Sequence, residues 1–174
     1  IALRTTTIEQ DAVKFKDAGF DVIGPETFSR VTPEGQEIKW QLLHIGEPNS
    51  KIEFPFLIQW EHSDEQRLED LKQRGVIASH PAGELKLQAV SYLVDDFTPI
   101  LKLSEICGIE TTIVQNEELN AEVATVHIEG GNLEFYRPLG EGEVWNAMMD
   151  SGKGLYNAVL VGSTIEKVVY FEEG

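Results

Sequence analysis

The chain has 174 residues, of which 14 are basic and 30 acidic, giving a formal net charge of −16. A surface this acidic repels phosphate backbones and anionic membranes. The basic residues are scattered singly, so the sequence argues against nucleic-acid and membrane partners. The single cysteine, Cys107, excludes an internal disulfide or thiolate metal cluster, and its apolar helical neighbours predict a buried thiol. Nothing implies an oxidising compartment, and no apolar run approaches the roughly 20 residues that span a bilayer, so we expect a cytoplasmic protein.

The first half of the chain predicts a strand, a helix, further strands and a second helix. Thr7 and Ser63 each stand three residues before a glutamine, a spacing that predicts reciprocal N-terminal caps for the two helices. Gly19 and Gly75 end these helices, because each supplies the left-handed residue that a helix terminus favours. We predict strands over 1–5, 20–23, 28–32, 38–45 and 54–60, with a stop at Gly24-Pro25 and a hairpin turn over 33–36.

The second half repeats this pattern. Thr98 is predicted as an N-cap with Pro99 at the first helical position, and Gly108 ends that helix. We predict strands over 86–94, 110–115, 122–128, 133–137, 155–161 and 166–171, and a short helix over 143–149. Residues 80–83 have the composition of a connector, so we expect a first module over 1–83 and a second over 84–174. The predicted fold class is α/β (α+β), with repeated βαβββ modules that form curved mixed sheets and carry a helix on one face.

Five segments carry a resemblance to a known family: 1–5 (IALRT), 29–35 (SRVTPEG), 40–43 (WQLL), 55–60 (PFLIQW) and 80–83 (HPAG). Together with the paired βαβββ pattern, they resemble the glyoxalase-like domain proteins of the vicinal oxygen chelate superfamily, best over the first half of the chain. The resemblance implies that paired modules wrap their sheets into a half-open barrel. It also implies a divalent metal inside the barrel, held by His, Glu or Gln from the first and last strands of the modules.

Few residues of this sequence fill those ligand positions. Glu134, in the segment GNLEFY, resembles the metal-binding glutamate of the family, and Gln59 stands on the last strand of the first module. The first strand offers no ligand type, whereas imidazoles and carboxylates are the usual donors. A divalent metal cofactor therefore stays an open hypothesis. The chain also opens within a strand and without an initiator methionine, so we expect a fragment that lacks an upstream segment or N-terminal module, where the usual histidine would lie.

Four other residues are predicted to line a pocket: Arg30, Trp40, His44 and Trp60. Alternation along a strand places Trp40 and His44 on the same face. Arg30 lies on a hairpin arm of a very acidic protein, where a guanidinium can clamp a substrate carboxylate; an ion pair with a neighbouring acid is the alternative. Trp40 and Trp60 would wall an apolar pocket or belong to the core. His44 would act as a general base or lie solvated at a strand end.

The leading hypothesis is a glyoxalase-like protein that binds a small-molecule ligand. Whether it is an enzyme stays open; if it is, the resemblance implies a metal-dependent lyase, isomerase or dioxygenase of unknown substrate. The first alternative is a non-catalytic binding or sequestration module, like the bleomycin-resistance members of the superfamily. The second is a structural domain that assembles through its sheet edges, for example as a homodimer. The sequence contains no phosphate loop, dinucleotide fingerprint or nucleophile elbow.

Overall fold

The computed structural model describes residues 1–46, 55–79 and 83–162, and the backbone of 166–170. The chain divides into two compact units, Ile1–Ser79 and His80–Gly174, and each is described by itself. Residues 80–82 of the predicted connector lie outside the described residues, so the predicted module boundary between 83 and 84 stays a prediction. Within the described part of the chain, no helix is both long enough and apolar enough to cross a bilayer.

Unit 1 is a four-stranded mixed sheet with two helices. Its elements are β1 (Ala2–Arg4), α1 (Ile8–Asp17), β2 (Asp21–Val31), β3 (Glu37–Gly46), β4 (Phe56–Trp60) and α2 (Asp64–Gln73). The strand order is β1-β4-β3-β2, in which β1 runs parallel to β4 and the other neighbours are antiparallel. The first and last strands of the unit are therefore neighbours. Because they run parallel, the chain between them must cross over the sheet.

Unit 2 repeats this arrangement and extends it. Its elements are β5 (Leu85–Leu93), α3 (Thr98–Cys107), β6 (Thr111–Asn116), β7 (Ala121–Val126), β8 (Asn132–Pro138), α4 (Glu143–Ser151), β9 (Gly154–Gly162) and β10 (Glu166–Tyr170). The order β10-β9-β5-β8-β7-β6 contains the same first-last-third-second order of strands, with β5 parallel to β8. The β9-β10 hairpin adds to the free side of β5. The predicted repeat of βαβββ modules in mixed sheets is confirmed.

The core of unit 1 lies between α1 and one face of its sheet. Ile8 and Phe15 of α1 are buried, as are Leu43 and Ile45 of β3. Phe15 meets Phe20 edge to face, with ring centroids 5.8 Å apart. Because side chains alternate along a strand, Trp40 and His44 lie on the opposite face of the sheet.

The core of unit 2 uses both faces of its sheet. Tyr92 and Phe135 are buried and stack with ring centroids 5.2 Å apart. On the opposite face, Val144 of α4 packs with Leu93 and Ala121 in a separate buried cluster. The additional helix and hairpin after the second module therefore give unit 2 a core that unit 1 does not share.

The structure corrects two predictions made from local sequence in unit 1. Thr7 is the N-cap of α1, but its side chain makes no cap hydrogen bond and instead donates to Asp11 at 3.2 Å. The predicted reciprocal cap is therefore wrong here, whereas the one between Ser63 and Gln66 is confirmed at α2. Gly24-Pro25 does not stop a strand, since β2 runs through it with a shift of register between Ile23 and Glu26.

Two further corrections concern α3. The N-cap is Phe97 rather than Thr98, and Asp96 Oδ1 accepts hydrogen bonds from both the N–H and the hydroxyl of Thr98. Cys107 is exposed rather than buried, because it is the last residue of the helix and precedes the left-handed Gly108. The helix therefore ends where it was predicted to end, but its terminal thiol lies outside the core.

Candidate functional site

The four residues predicted to line a pocket lie on one face of the unit 1 sheet, opposite α1. Register pairs Trp40 with Phe28 on β2 and with Trp60 on β4. It also pairs Arg30 with Ile38, two residues from Trp40 on β3. Directly opposed residues share a face, and so do residues two apart along a strand. We call this the aromatic face.

Ring contacts cross the aromatic face from strand to strand. Phe28 and Trp40 are stacked with centroids 6.2 Å apart, and Trp40 and Trp60 are tilted at 5.6 Å. His44 lies further along β3, where its ring is 5.3 Å from that of Phe56. His44 is exposed, and the structure brings it beside an apolar ring rather than beside the other candidates.

Helix α2 lies against the Trp60 end of this face. The guanidinium carbon of Arg67 is 3.5 Å from the centroid of the Trp60 ring, a cation–π contact. The start of the helix is held by an ion pair of 2.6 Å between Arg4 of β1 and Asp64. No residue of α2 is fully buried, and Leu68 is largely exposed. The helix is thus attached by polar and cation–π contacts and does not close tightly onto the sheet.

A cavity of about 160 Å³ remains beside α2, which we call the α2 cavity. Apolar surface comes from the ring of Trp60 and from Ile38 and Leu71, and guanidinium groups come from Arg30, Arg67 and Arg74. Asp70 is the carboxylate of its lining. The cavity therefore combines an apolar interior with an excess of positive charge, in a protein whose net charge is strongly negative.

The three guanidinium groups differ in how they are paired. Arg74 donates two hydrogen bonds to Asp70 Oδ2, at 3.0 Å and 2.7 Å. Arg30 and Arg67 have no ion pair with any carboxylate among the described residues. Burial lowers the pKa of Arg67, and nearby Arg4 and Arg74 act in the same direction, against Asp64 and Asp70. An arginine remains charged at neutral pH under such a shift, because its ordinary pKa is so high.

Two of the four residues predicted to line a pocket lie at this cavity. Arg30 and Trp60 line the α2 cavity, Trp40 contacts Trp60, and His44 lies elsewhere on the aromatic face. The prediction from the sequence did not include Arg67 and Arg74, which stand seven residues apart with Leu71 between them. This spacing puts all three on one side of a helix. The available indication of their role was that arginines, and not apolar residues, occupy this side of a helix that has few apolar residues.

The candidate metal ligand Gln59 has another role in the described structure. It lies on the α1 face, since its register partner is Gln41, between the positions of Trp40 and Leu42. Its Oε1 accepts a hydrogen bond from the N–H of Ile8 at 2.9 Å. That N–H belongs to the first turn of α1, where backbone donors have no partner within the helix. Gln59 therefore caps α1 from a strand that is distant in sequence.

Replacing Gln59 with alanine is expected to lower the free energy of unfolding by about 1 kcal/mol, because the Ile8 N–H loses its acceptor. Chemical denaturation of the full chain measures this. Gln41→Ala is the matched control. Within the described residues, the Gln41 amide makes an exposed 3.3 Å contact with Glu9, so this variant should change stability by less than about 0.5 kcal/mol. A Gln59→Ala protein as stable as its parent would contradict the capping role.

The other candidate ligand, Glu134, lies on β8 of unit 2. Its Oε2 accepts a hydrogen bond of 2.7 Å from the hydroxyl of Tyr136. Burial, followed by the hydrogen bond to Glu134, raises the pKa of Tyr136 well above its ordinary value. The hydroxyl therefore stays protonated and remains a donor to the carboxylate at neutral pH.

Glu134 is part of a row of polar residues across the sheet. Register places Asn157, Ser91, Glu134, Thr125 and Thr112 side by side on successive strands. Ser91 Oγ and Asn157 Oδ1 are buried and make no hydrogen bond of normal geometry within the described structure. One carboxylate among hydroxyls and an amide is a weak donor set for a divalent cation, which favours imidazole and carboxylate ligands.

The family resemblance implies a divalent metal, and such an ion favours imidazole and carboxylate ligands. In residues 1–46, 55–79 and 83–162, no three His, Cys, Asp or Glu side chains are grouped so that they could hold one. The oxygen of Gln59 is engaged by α1, and the carboxylate of Glu134 by Tyr136. The described donor atoms do not fit a resident divalent cation, and the assignment of Glu134 and Gln59 as ligands stays a prediction.

A family model described as a glyoxalase-like domain matches residues 1–107, more than half of the chain. The chain belongs to the glyoxalase-like domain family. This confirms the family predicted from the sequence, and it covers the whole of unit 1 together with β5 and α3. A comparison with curated proteins finds no match.

Two solved structures illustrate how far the likeness extends. The crystal structure of a hypothetical protein from Staphylococcus aureus has a TM-score of 0.60 and 22% identity, and the match covers 82% of this chain and 53% of that one. A hypothetical protein from Bacillus halodurans C-125 has a TM-score of 0.41 and 15% identity, with 44% of this chain and 58% of that chain covered. The first match shows that the two chains share a fold. Both matches extend over little more than half the length of these solved chains.

Proposed function

We propose that this protein binds a small organic molecule in the α2 cavity of unit 1. The observation that carries the proposal is the cavity itself, in which the ring of Trp60 and two aliphatic side chains stand beside guanidinium groups. Ligand sites combine apolar walls with a few placed polar groups in this way. Membership of the glyoxalase-like family supports a ligand-binding role in general and specifies neither a substrate nor a reaction.

Binding is favoured over metal-dependent chemistry by the donor groups that are present. Among the described residues no three His, Cys, Asp or Glu side chains are grouped so that they could hold a metal ion, and Gln59, at one expected ligand position, caps α1. The α2 cavity, in contrast, contains guanidinium groups, which bind anions and not metal ions. The proposed function is therefore recognition or sequestration of a small molecule at unit 1.

The proposal is tested by screening single-ring compounds, neutral and charged, against the full chain by thermal shift. A compound that binds only the native state raises the melting temperature by mass action. For each compound found, Trp60→Ala is expected to weaken binding at least tenfold, because the lost ring contact is worth about 1.5–3 kcal/mol and 1.4 kcal/mol corresponds to tenfold.

Trp145→Ala is the matched control, because Trp145 is a partly exposed tryptophan of α4 in unit 2 and should leave affinity unchanged. Trp60→Phe keeps an aromatic wall and shows whether loss of binding comes from the ring or from unfolding. Compounds that bind Trp60→Ala as tightly as the parent protein would place the ligand elsewhere and overturn the proposal.

A further inference from the structure

The α2 cavity is distinguished by its arginines. The chain has five arginines, and acidic side chains outnumber basic ones about two to one. Arg4, Arg74 and Arg137 each form an ion pair, with Asp64, Asp70 and Glu122 respectively. Arg30 and Arg67 form none with the described residues, although both line the same cavity. In so acidic a protein, two guanidinium groups at one site that have no ion pair within the described part of the chain require an explanation.

We propose that the α2 cavity selects a small carboxylate, a single ring or short acyl chain with one negative charge, through Arg30 and Arg67. This inference rests on the proposed function, because it names the class of ligand for the same cavity. A planar carboxylate matches the planar fork of a guanidinium and accepts two parallel hydrogen bonds from it. The ligand would supply the anion that neither arginine obtains from the described protein.

The two arginines would act in different ways. Arg67 is half-buried and its guanidinium carbon is 3.5 Å from the centroid of the Trp60 ring, so this cation–π contact restricts its position. Arg30 is exposed on β2, so it is free to close over a bound anion from the solvent side. Partial burial strengthens the attraction between Arg67 and an anion, since the effective dielectric is lower than in water. A fixed inner cation and an adjustable outer one form a clamp.

The size and walls of the cavity decide between classes of anion. A cavity of about 160 Å³ is close to the roughly 150 Å³ that holds one benzene ring, and it is too small for a nucleotide or a drug-sized molecule. Ile38, Trp60 and Leu71 offer apolar contact that inorganic phosphate could not use. Asp70 and the acidic surface disfavour a dianion more than a monoanion. These properties favour a carboxylate with an apolar body.

The test compares benzoate with benzamide and benzyl alcohol, which keep the ring and remove the charge, by isothermal titration of the full chain at low ionic strength. Benzoate is expected to bind at least tenfold more tightly than either neutral compound, and added salt should weaken only benzoate. In Arg30→Gln and in the double variant R30Q/R67Q, this preference should fall successively towards zero. Arg137→Gln is the matched control, since that arginine is paired with Glu122 in unit 2 and does not line the cavity.

Arg67→Lys keeps the positive charge above Trp60, so it tests the role of Arg67 even if the glutamine variant does not fold. It should bind benzoate with intermediate affinity, because lysine lacks the two parallel N–H donors of the guanidinium. If benzamide binds as tightly as benzoate, the inference is overturned and the proposed function stands. If inorganic phosphate binds as tightly as benzoate, the assignment to carboxylates with an apolar body is wrong. If none of the ring compounds binds, the proposed function fails and this inference fails with it.

Discussion

Replacing Phe15 with alanine is expected to destabilise unit 1 by about 3–5 kcal/mol, the range for removing a phenyl ring from a core. Only 2% of Phe15 is exposed, and its ring meets Phe20 edge to face. The loss has two parts, the transfer of the ring back to water in the unfolded chain and the void left under α1. The aromatic contact with Phe20 adds about 0.5–1.5 kcal/mol to such a pair.

Urea denaturation, followed by the tryptophans of unit 1, measures this effect. A lower midpoint with an unchanged slope would show a loss of stability and not a change in the amount of surface exposed on unfolding. Val13→Ala on the same helix is the control, because 59% of Val13 is exposed, and it should change the free energy of unfolding by less than about 0.5 kcal/mol. A Phe15→Ala protein within that margin would show that α1 does not hold the core.

The sequence predicted the elements of the fold well where their determinants are local. Gly108 ends α3 in the left-handed conformation, and Ser63 and Gln66 cap α2 reciprocally, because each device needs only neighbouring residues. The order of the strands depends on contacts distant in sequence, and it was not predicted. The family match then confirmed the glyoxalase-like fold without identifying a ligand.

The failures at α1 and β2 have causes outside the predicted motifs. The hydroxyl of Thr7 donates to Asp11 instead of capping the helix, and the first-turn N–H of Ile8 finds its acceptor in Gln59, 51 residues away. Pro25 lacks a backbone donor and would interrupt a central strand, but β2 is an edge strand of its sheet. Edge strands tolerate proline at a bulge. Neither the distant glutamine nor the edge position is visible in the residues around the motif.

The candidate site was predicted on the strands and missed on the helix. Strand alternation placed Trp40 and His44 on one face, since a period of two follows directly from the sequence, whereas the register that adds Arg30 and Trp60 to this face comes from the structure. The packing of α2 could not be predicted in this way, because the helix has only two leucines, Leu68 and Leu71, as large apolar residues. The structure exposes Leu68 and turns Arg67 onto Trp60 instead. A helix that is attached through an arginine–tryptophan contact shows no periodic apolar pattern in its sequence.

Replacing Gly24 with alanine is expected to lower the free energy of unfolding and also to remove ligand selectivity at the α2 cavity. Gly24 has φ +102°, and an added Cβ would lie 2.6 Å from the carbonyl oxygen of Leu42 and 2.9 Å from the nitrogen of Glu26. Strained dihedrals cost about 1–3 kcal/mol and an overpacked contact a similar amount, so we expect a destabilisation of about 2–6 kcal/mol.

The position of Gly24 connects this strain to ligand binding. The register shift beside it sets the pairing of Phe28 with Trp40 and of Arg30 with Ile38. A strand that relieved the clash by slipping one residue would turn Arg30 to the opposite face. Gly24→Ala should therefore abolish the preference for benzoate over benzamide, even under conditions in which the variant remains folded.

Gly35→Ala is the control that separates the effect of the steric clash from the effect of the positive φ angle. Gly35 also has a positive φ, +86°, but nothing lies within 4 Å of an added Cβ. It occupies the turn of the same hairpin, so this variant should lose only about 1–2 kcal/mol, from backbone strain, and keep the preference for benzoate.

Equal losses in the two variants, measured by urea denaturation and by titration, would show that the contact of Gly24 with Leu42 does not fix the register of β2. Loss of stability in Gly24→Ala with the benzoate preference intact would show that Arg30 reaches the α2 cavity independently of the bulge.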